Sequence, residues 1–285
     1  MIKLWLVNDL GNQLFALFSI MAYALEHDIG FKIITYHDRN MSGNKVYWKN
    51  ILSSFQGNIN KYVYRKQSEY ITDEFYENND LKFFKLPEYL KNKSYIIQSN
   101  FYSYKYFDNY LPQILKYTKI EPHRIKVKEE YPDLFTKKNI AIHFCMEDYI
   151  SIQNTFCIQK PEFYIHSIKN LEKDLSLIGE SLENYNFLYF CSEKDNERVE
   201  QFMKVIRCIT KYNYNFIKIQ NDIDDWKQFL LMTSCSHFII SNTKFAWMAA
   251  YISTTDEKKQ VYCPKKWFAK TDDISDIIPE NWKSI

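Results

Sequence analysis

Short apolar runs alternate with helix-period segments along most of this chain, and that alternation limits the folds open to it. In the N-terminal part "IKLWLV" (2–7), "FKIITY" (31–36) and "SYIIQS" (94–99) read as buried strands, with a helix from about Gly11 to His27 after the first. The C-terminal part repeats the unit more regularly. Strands "IAIHF" (140–144), "NFLYFC" (186–191), "NFIKI" (215–219) and "HFII" (237–240) each precede a helical stretch, and "QVYC" (260–263) closes the series. Pro161 suits the first turn of one such helix, and Asp222, Asp224 and Asp225 suit the first turn of another. Strand followed by helix, repeated in this way, predicts parallel sheets wound in a Rossmann-like manner.

Between these units the pattern weakens. Residues 37–87 are polar, aromatic and poorly periodic, and are expected to hold loops and an irregular insertion. "YKYFDNYLPQILKYT" (104–118) reads as helix, with Pro112 set to kink or restart it. The charged stretch 121–139 reads as a connection between halves, which gives domains of 1–130 and 131–285.

Composition removes several classes of function. A net charge of +2 offers no basic face for nucleic acid, so none is expected as a partner. The apolar stretch Leu14 to Leu25 lacks the lead-in and cleavage site of a signal peptide and is too short to span a bilayer. A cytoplasmic protein without a transmembrane segment is the expectation. Six cysteines without C-x-x-C spacing suggest reduced, buried thiols rather than a zinc site. Asp222, Asp224 and Asp225 resemble metal ligands by composition, but at a helix start they read as dipole-compensating caps. No metal and no cofactor are expected.

Ligands of open parallel sheets sit beyond the carboxyl ends of the strands, where helix N-termini offer free N–H groups. Four polar clusters fall at such places: "NDLGNQ" (8–13), "HFCMED" (143–148), "CSEKD" (191–195) and "SNTKF" (241–245). Each has a plain structural explanation. Gly11 and Asn12 make a tight turn with an Asn cap; Ser192 and Asp195 approach a capping arrangement; Asn242 or Thr243 caps a helix beside a solvated Lys244. Each also has a functional one. Gly11, Asn12 and Gln13 could meet a sugar or phosphate, Glu193 a nucleobase edge, and Asn242, Thr243 and Lys244 a phosphate. The absence of G-x-G-x-x-G and of a Walker sequence excludes dinucleotide and ATP sites of those types.

Taken in order, the clusters resemble the alpha-1,2-fucosyltransferases of glycosyltransferase family 11. "NDLGNQLFALFSIMAYAL" stands where that family has a G-G-L-G-N-Q turn and an apolar helix. "IIQSNFYSYKYF" (96–107), "LLMTSCSHFIISNTKFAWMAAYI" (230–252), "VYCPKKWF" (261–268) and "IPENWKSI" (278–285) match further phrases in the same order. The resemblance implies an α/β fold of the GT-B type, two Rossmann-like domains with parallel sheets facing a central cleft. It implies GDP-fucose as donor on the C-terminal side, a glycan acceptor on the N-terminal side, and inverting, metal-independent transfer. His143 and Glu193 would contact the nucleoside, Thr243 and Lys244 the phosphates, with Gly11 and Asn242 beside them. Asn12 and Gln13 would meet the reacting sugars, and Asp148 would orient the motif loop.

Where the family has H-x-R-R-x-D, this chain has His143, Phe144, Cys145, Met146, Glu147 and Asp148. Both arginines, which would hold the diphosphate, are replaced. Losing one charge-assisted hydrogen bond costs about 1.5–3 kcal/mol. The readings that stand are a transferase in which Lys244 supplies part of the missing charge, using GDP-fucose or a different nucleotide-sugar donor, and a descendant that binds nucleotide or carbohydrate without turnover.

Overall fold

The computed structural model describes residues 2–35, 43–61, 72–76, 81–90, 94–98, 101–210, 214–253, 258–270 and 273–285. The chain forms two compact units, Met1–His123 with Asp273–Pro279, and Arg124–Asp272 with Glu280–Ile285.

The first unit is a parallel sheet of β1 (Ile2–Trp5), β2 (Phe31–Thr35), β3 (Ile59–Lys61), β4 (Thr72–Tyr76) and β5 (Ser94–Gln98), in the order β3-β2-β1-β5-β4. The end of the strand expected over 94–99 lies outside the described residues. Helix α1 (Leu10–Glu26) returns the chain from β1 to β2, and it is buried almost all round. A helix apolar on every face must be covered on every face; here Phe15 and Phe18 both meet the edge of Phe107 at 5.6 Å between centroids. The expected irregular insertion contributes β3 and β4 to the sheet, so part of 37–87 is regular; 36–42, 62–71 and 77–80 lie outside the described residues.

The helix expected over 104–118 is broken. Two 3-10 turns, Tyr104–Tyr106 and Asp108–Tyr110, precede α2 (Leu111–Thr118). Pro112 stands in the first turn of α2, where its missing N–H costs nothing, and so it restarts the helix. The stretch expected as a connection is also ordered. It forms α3 (Ile120–Glu130) and a 3-10 turn at Pro132–Phe135. Ile120 and Val127, two helical turns apart, are its buried residues among many charges, a pattern too sparse to read as amphipathic.

The second unit follows the sequence pattern closely. Its strands are β6 (Lys138–His143), β7 (Tyr185–Phe190), β8 (Asn215–Lys218), β9 (His237–Ile239), β10 (Val261–Cys263) and β11 (Lys283–Ser284). Their order is β11-β10-β9-β6-β7-β8, every pairing parallel. The short α4 (Glu147–Ile150) and the long α5 (Pro161–Leu177) follow β6; α6 (Asn196–Thr210) follows β7, α7 (Asp225–Thr233) follows β8, and α8 (Lys244–Ile252) follows β9. The Lys259 ammonium donates to the carbonyls of Ala250 and Ser253, both at 2.7 Å, satisfying the end of α8.

Among the described residues no helix is long and apolar enough to cross a membrane. The six cysteines form no disulfide; Cys145, Cys191, Cys235 and Cys263 are buried and Cys208 is exposed.

Candidate functional site

Strand order locates the place in each sheet where a ligand can enter. In the second unit the chain winds from β6 outward through β7 to β8, then returns to the other flank of β6 to lay down β9 and β10. Beyond the carboxyl ends of β6 and β9 the connections diverge, and such a switch point leaves a crevice. His143 ends β6 and Ser241 lies just past β9; the His143 Nδ1 and the Ser241 Oγ are 2.7 Å apart and hydrogen-bonded. The His143 ring is 9% exposed. Burial pushes its pKa down to about 3, so the imidazole is neutral at physiological pH and offers a hydrogen bond rather than a charge. In the first unit the same reasoning picks the gap between β1 and β5, and "NDLGNQ" follows β1.

The turn after β1 is built by its own side chains. Asn8 has φ 58°, the left-handed region that glycine enters freely and asparagine more readily than most residues. Asp9, not Asn12, caps α1: its Oδ1 accepts from the Asn12 backbone N–H at 3.1 Å and from the Asn12 Nδ2 at 2.9 Å. Gln13 is fully buried, and its Nε2 donates to the carbonyls of Asn8 and Lys45, both at 2.9 Å. Gly11 is buried in the first turn of α1. Asn12 is half-buried at the turn surface, whereas Gln13 faces protein.

The loop "HFCMED" is held by backbone bonds and by burial. Phe144 N–H extends the ladder to the Phe190 carbonyl at 2.9 Å. Met146 is fully buried in the cluster that includes Ile142, Phe144, Tyr164 and Tyr189, and Cys145 is 9% exposed. Burial thus explains the residue types at the two positions where the resemblance expects arginines. Glu147 and Asp148 begin α4 and pair with Arg198 at 3.4 Å and Lys194 at 3.5 Å. Asp148 is exposed, and its partner lies on the turn after β7.

On that turn Ser192 stands at the N-cap position, as expected, but the expected Ser192–Asp195 capping bond is absent. Asp195 is 1% exposed, and its Oδ1 accepts from the backbone N–H groups of Met146 at 3.2 Å and Glu147 at 2.7 Å. Ser192 caps no amide with its side chain; its Oγ donates to Asp195 Oδ2 at 3.0 Å. One carboxylate therefore fastens the loop after β6 to the loop after β7. Glu193 lies exposed on the 3-10 turn Glu193–Asp195.

After β9, Thr243 caps α8 by accepting from the Ala246 N–H at 3.2 Å. Asn242 is 2% exposed, and its Nδ2 donates to the carbonyls of Cys157 at 3.0 Å and Trp267 at 2.8 Å, sewing three segments together. Its own carbonyl accepts from the Tyr149 hydroxyl at 3.0 Å, and Tyr149 stacks on Phe156 at 4.7 Å. Lys244, expected as a solvated lysine, is 9% exposed at the first position of α8. Of the three aspartates, Asp224 is the N-cap of α7 without a side-chain cap bond, and Asp225 accepts from the Trp226 N–H at 2.8 Å. Among the described residues no three His, Cys, Asp or Glu side chains gather as a metal ion would require.

In the second unit the structure brings His143, Asp148 and Lys194 to one set of strand ends, with Asn242, Thr243 and Lys244 in the connection from the neighbouring strand β9 into α8. Ser241 and Tyr149 are additions that sequence reasoning passed over, and Asp195, read there as part of a local cap, takes a different role. Ser241 stands inside the 241–245 cluster, next to Asn242. The bonds that Asp195 and Tyr149 make carried no sequence signal, since their partners are distant in the chain. A cavity of about 590 Å³ opens beside β8, between Tyr131, Gln220 and Asp224, and none of these cluster residues lines it.

No family model matches the chain, and no curated protein matches it. Solved structures do. NodZ alpha-1,6-fucosyltransferase co-crystallized with GDP is 10% identical, with 88% of this chain and 92% of that chain covered and a TM-score of 0.50. E. coli ADP-heptose lps heptosyltransferase II is 9% identical, with 100% and 89% covered and a TM-score of 0.50. A mutant of Arabidopsis thaliana FUT1 in complex with GDP is 11% identical over 92% and 70%, with a TM-score of 0.48. At such identities the likeness is one of fold: the chain has a glycosyltransferase-like fold of the GT-B type, with parallel sheets.

Proposed function

We propose that this protein is a nucleotide-sugar glycosyltransferase of the family 11 type, taking GDP-fucose and transferring fucose to a glycan hydroxyl. The observation that carries the reading is the His143–Ser241 pair at the switch point between β6 and β9, inside a glycosyltransferase-like fold. The GDP-containing neighbour supports the same choice of nucleotide. In this reading His143 hydrogen-bonds the nucleotide as a neutral ring, and Glu193 accepts from the base. Lys244, with the amides that open α8 behind the Thr243 cap, faces the diphosphate. The acceptor hydroxyl gives up its proton, with Asp9 and Glu147 as the candidate bases, as its oxygen attacks the anomeric carbon; the bond from that carbon to the β-phosphate oxygen breaks, and GDP leaves. Asn12 would position the acceptor, with Gly11 and Gln13 shaping its turn and Asp148 orienting the motif loop.

One observation favours the second reading, a nucleotide- or carbohydrate-binding protein without turnover. Met146 occupies an arginine position of the motif and is wholly buried, so that position carries no cation toward a ligand. Incubation with GDP-fucose and a panel of oligosaccharides separates the two. Acceptor-dependent GDP release supports transfer. GDP binding without release moves the protein to the second reading, and no affinity for any nucleotide removes both.

A further inference from the structure

The first unit contains a cavity of about 250 Å³ at the far end of α1 from the "NDLGNQ" turn. Glu26 stands about 21 Å along α1 from Asn12, at about 1.5 Å rise per residue. The cavity is therefore separate from the position where transfer would occur. Its walls combine aromatic rings, Phe83, Tyr106 and Tyr110, with the polar ends of Glu26, Lys85 and Asn109.

These walls are held in place. Asp276 accepts from the Phe83 backbone N–H at 2.8 Å and pairs with Lys105, which also lines the cavity. Phe83 and Tyr106 meet edge to face at 4.9 Å, and Tyr106 rests in turn on Phe101 at 5.0 Å. The hydroxyl of Tyr23, another lining residue, donates to the Pro87 carbonyl. Phe83 keeps 37% of its surface exposed, an aromatic face at the rim of a fixed wall.

Charge and size together narrow the ligand. The lining carries Glu26, Lys85 and Lys105, and Asp276 behind it pairs with Lys105, so the four charges sum to zero and leave no excess charge to attract a phosphate, a carboxylate or a cation. The volume is below the range of about 300–1,000 Å³ usual for drug-sized ligands. A neutral ligand with an apolar face for an aromatic ring and hydroxyls for a carboxylate, an amide and an ammonium is a pyranose. We infer that this cavity is a second carbohydrate site, taking one neutral sugar ring of a glycan against Phe83, with Asn109 and Glu26 bonding its hydroxyls. The inference stands apart from the nucleotide assignment. Where transfer does occur, the site would grip a part of the acceptor remote from the reacting hydroxyl.

The test is saturation-transfer NMR of the full chain with neutral mono- and oligosaccharides, repeated on Phe83→Ala and Asn109→Ala. Both positions are exposed and lie outside the transfer site, and melting temperature checks that each variant folds. At least one neutral sugar should bind the parent protein and bind each variant about tenfold more weakly. GDP binding should be unaltered in both variants. Equal sugar binding by parent and variants overturns the site. So does a parent protein that binds no neutral sugar, or only charged ones. Loss of GDP binding in the parent would instead count against the transferase reading alone.

Discussion

Glu147 and Asp195 are joined across two loops: the backbone N–H of Glu147 donates to the buried Asp195 Oδ1 at 2.7 Å, and Met146 donates to the same oxygen at 3.2 Å. Replacing Asp195 with alanine leaves two amides without their acceptor and frees the loop after β6. An Asp195→Ala protein should lose about 2–4 kcal/mol, and Asp195→Asn, which keeps one oxygen, distinctly less. Urea denaturation measures both. An alanine variant within about 0.5 kcal/mol of the parent would show that the carboxylate does not hold the loop.

Restoring one arginine of the motif should not restore its chemistry. Met146→Arg puts a cation among Ile142, Phe144 and Tyr164, where no solvent reaches it. The variant should be destabilised by about 3 kcal/mol or more, with no gain in GDP affinity. A stable Met146→Arg protein that binds GDP more tightly would mean that this side chain can turn toward the ligand.

The residues after β9 should rank by burial. Asn242 makes two hydrogen bonds from one amide group, one buried and one part-buried, so Asn242→Ala should cost about 2–3 kcal/mol. Thr243 makes a single cap bond, and Thr243→Ala should cost about 1 kcal/mol. Thermal melts of the two variants give the order, and a reversed order would deny Asn242 its anchoring role.

His143 predicts a pH dependence. Its folded pKa of about 3 lies below the 6.5 of an unperturbed imidazole, so the unfolded chain binds the extra proton first as the pH falls. Its contribution is fully present above about pH 6.5 and is lost as the pH falls from there toward 3, at up to about 1.4 kcal/mol per unit. A His143→Gln protein should show a shallower loss of stability between pH 7 and 5 in denaturant titrations. Parallel curves for the two proteins would mean that the ring is hydrated in the folded state.

Much of the second unit could be read from the chain, because each fully buried parallel strand is a continuous apolar run followed by a helix with its own start signal. Pro161, at the first position of α5, is an instance. The first unit was less legible. β3 and β4 are short and polar, and they are strands because β2 and β5 pair with them rather than by their own pattern. α3 escaped notice because Ile120 and Val127 are its buried residues and charges surround them. At the candidate site, positions at strand ends followed from the alternation, but contacts did not. That Asp195 serves the loop of Met146 and Glu147, and that Lys244 is buried, depend on loops brought together by sheet order.

The central claim is that the crevice between the ends of β6 and β9 holds a guanosine diphosphate. Differential scanning of the protein with GDP tests it most directly, with ADP and UDP as controls. At a hundred times the dissociation constant GDP should stabilise the fold by about 2.7 kcal/mol. The melting temperature should then rise by about 3–6 °C, and the rise should be largely lost in His143→Ala. No shift with GDP, or an equal shift in His143→Ala, would contradict it.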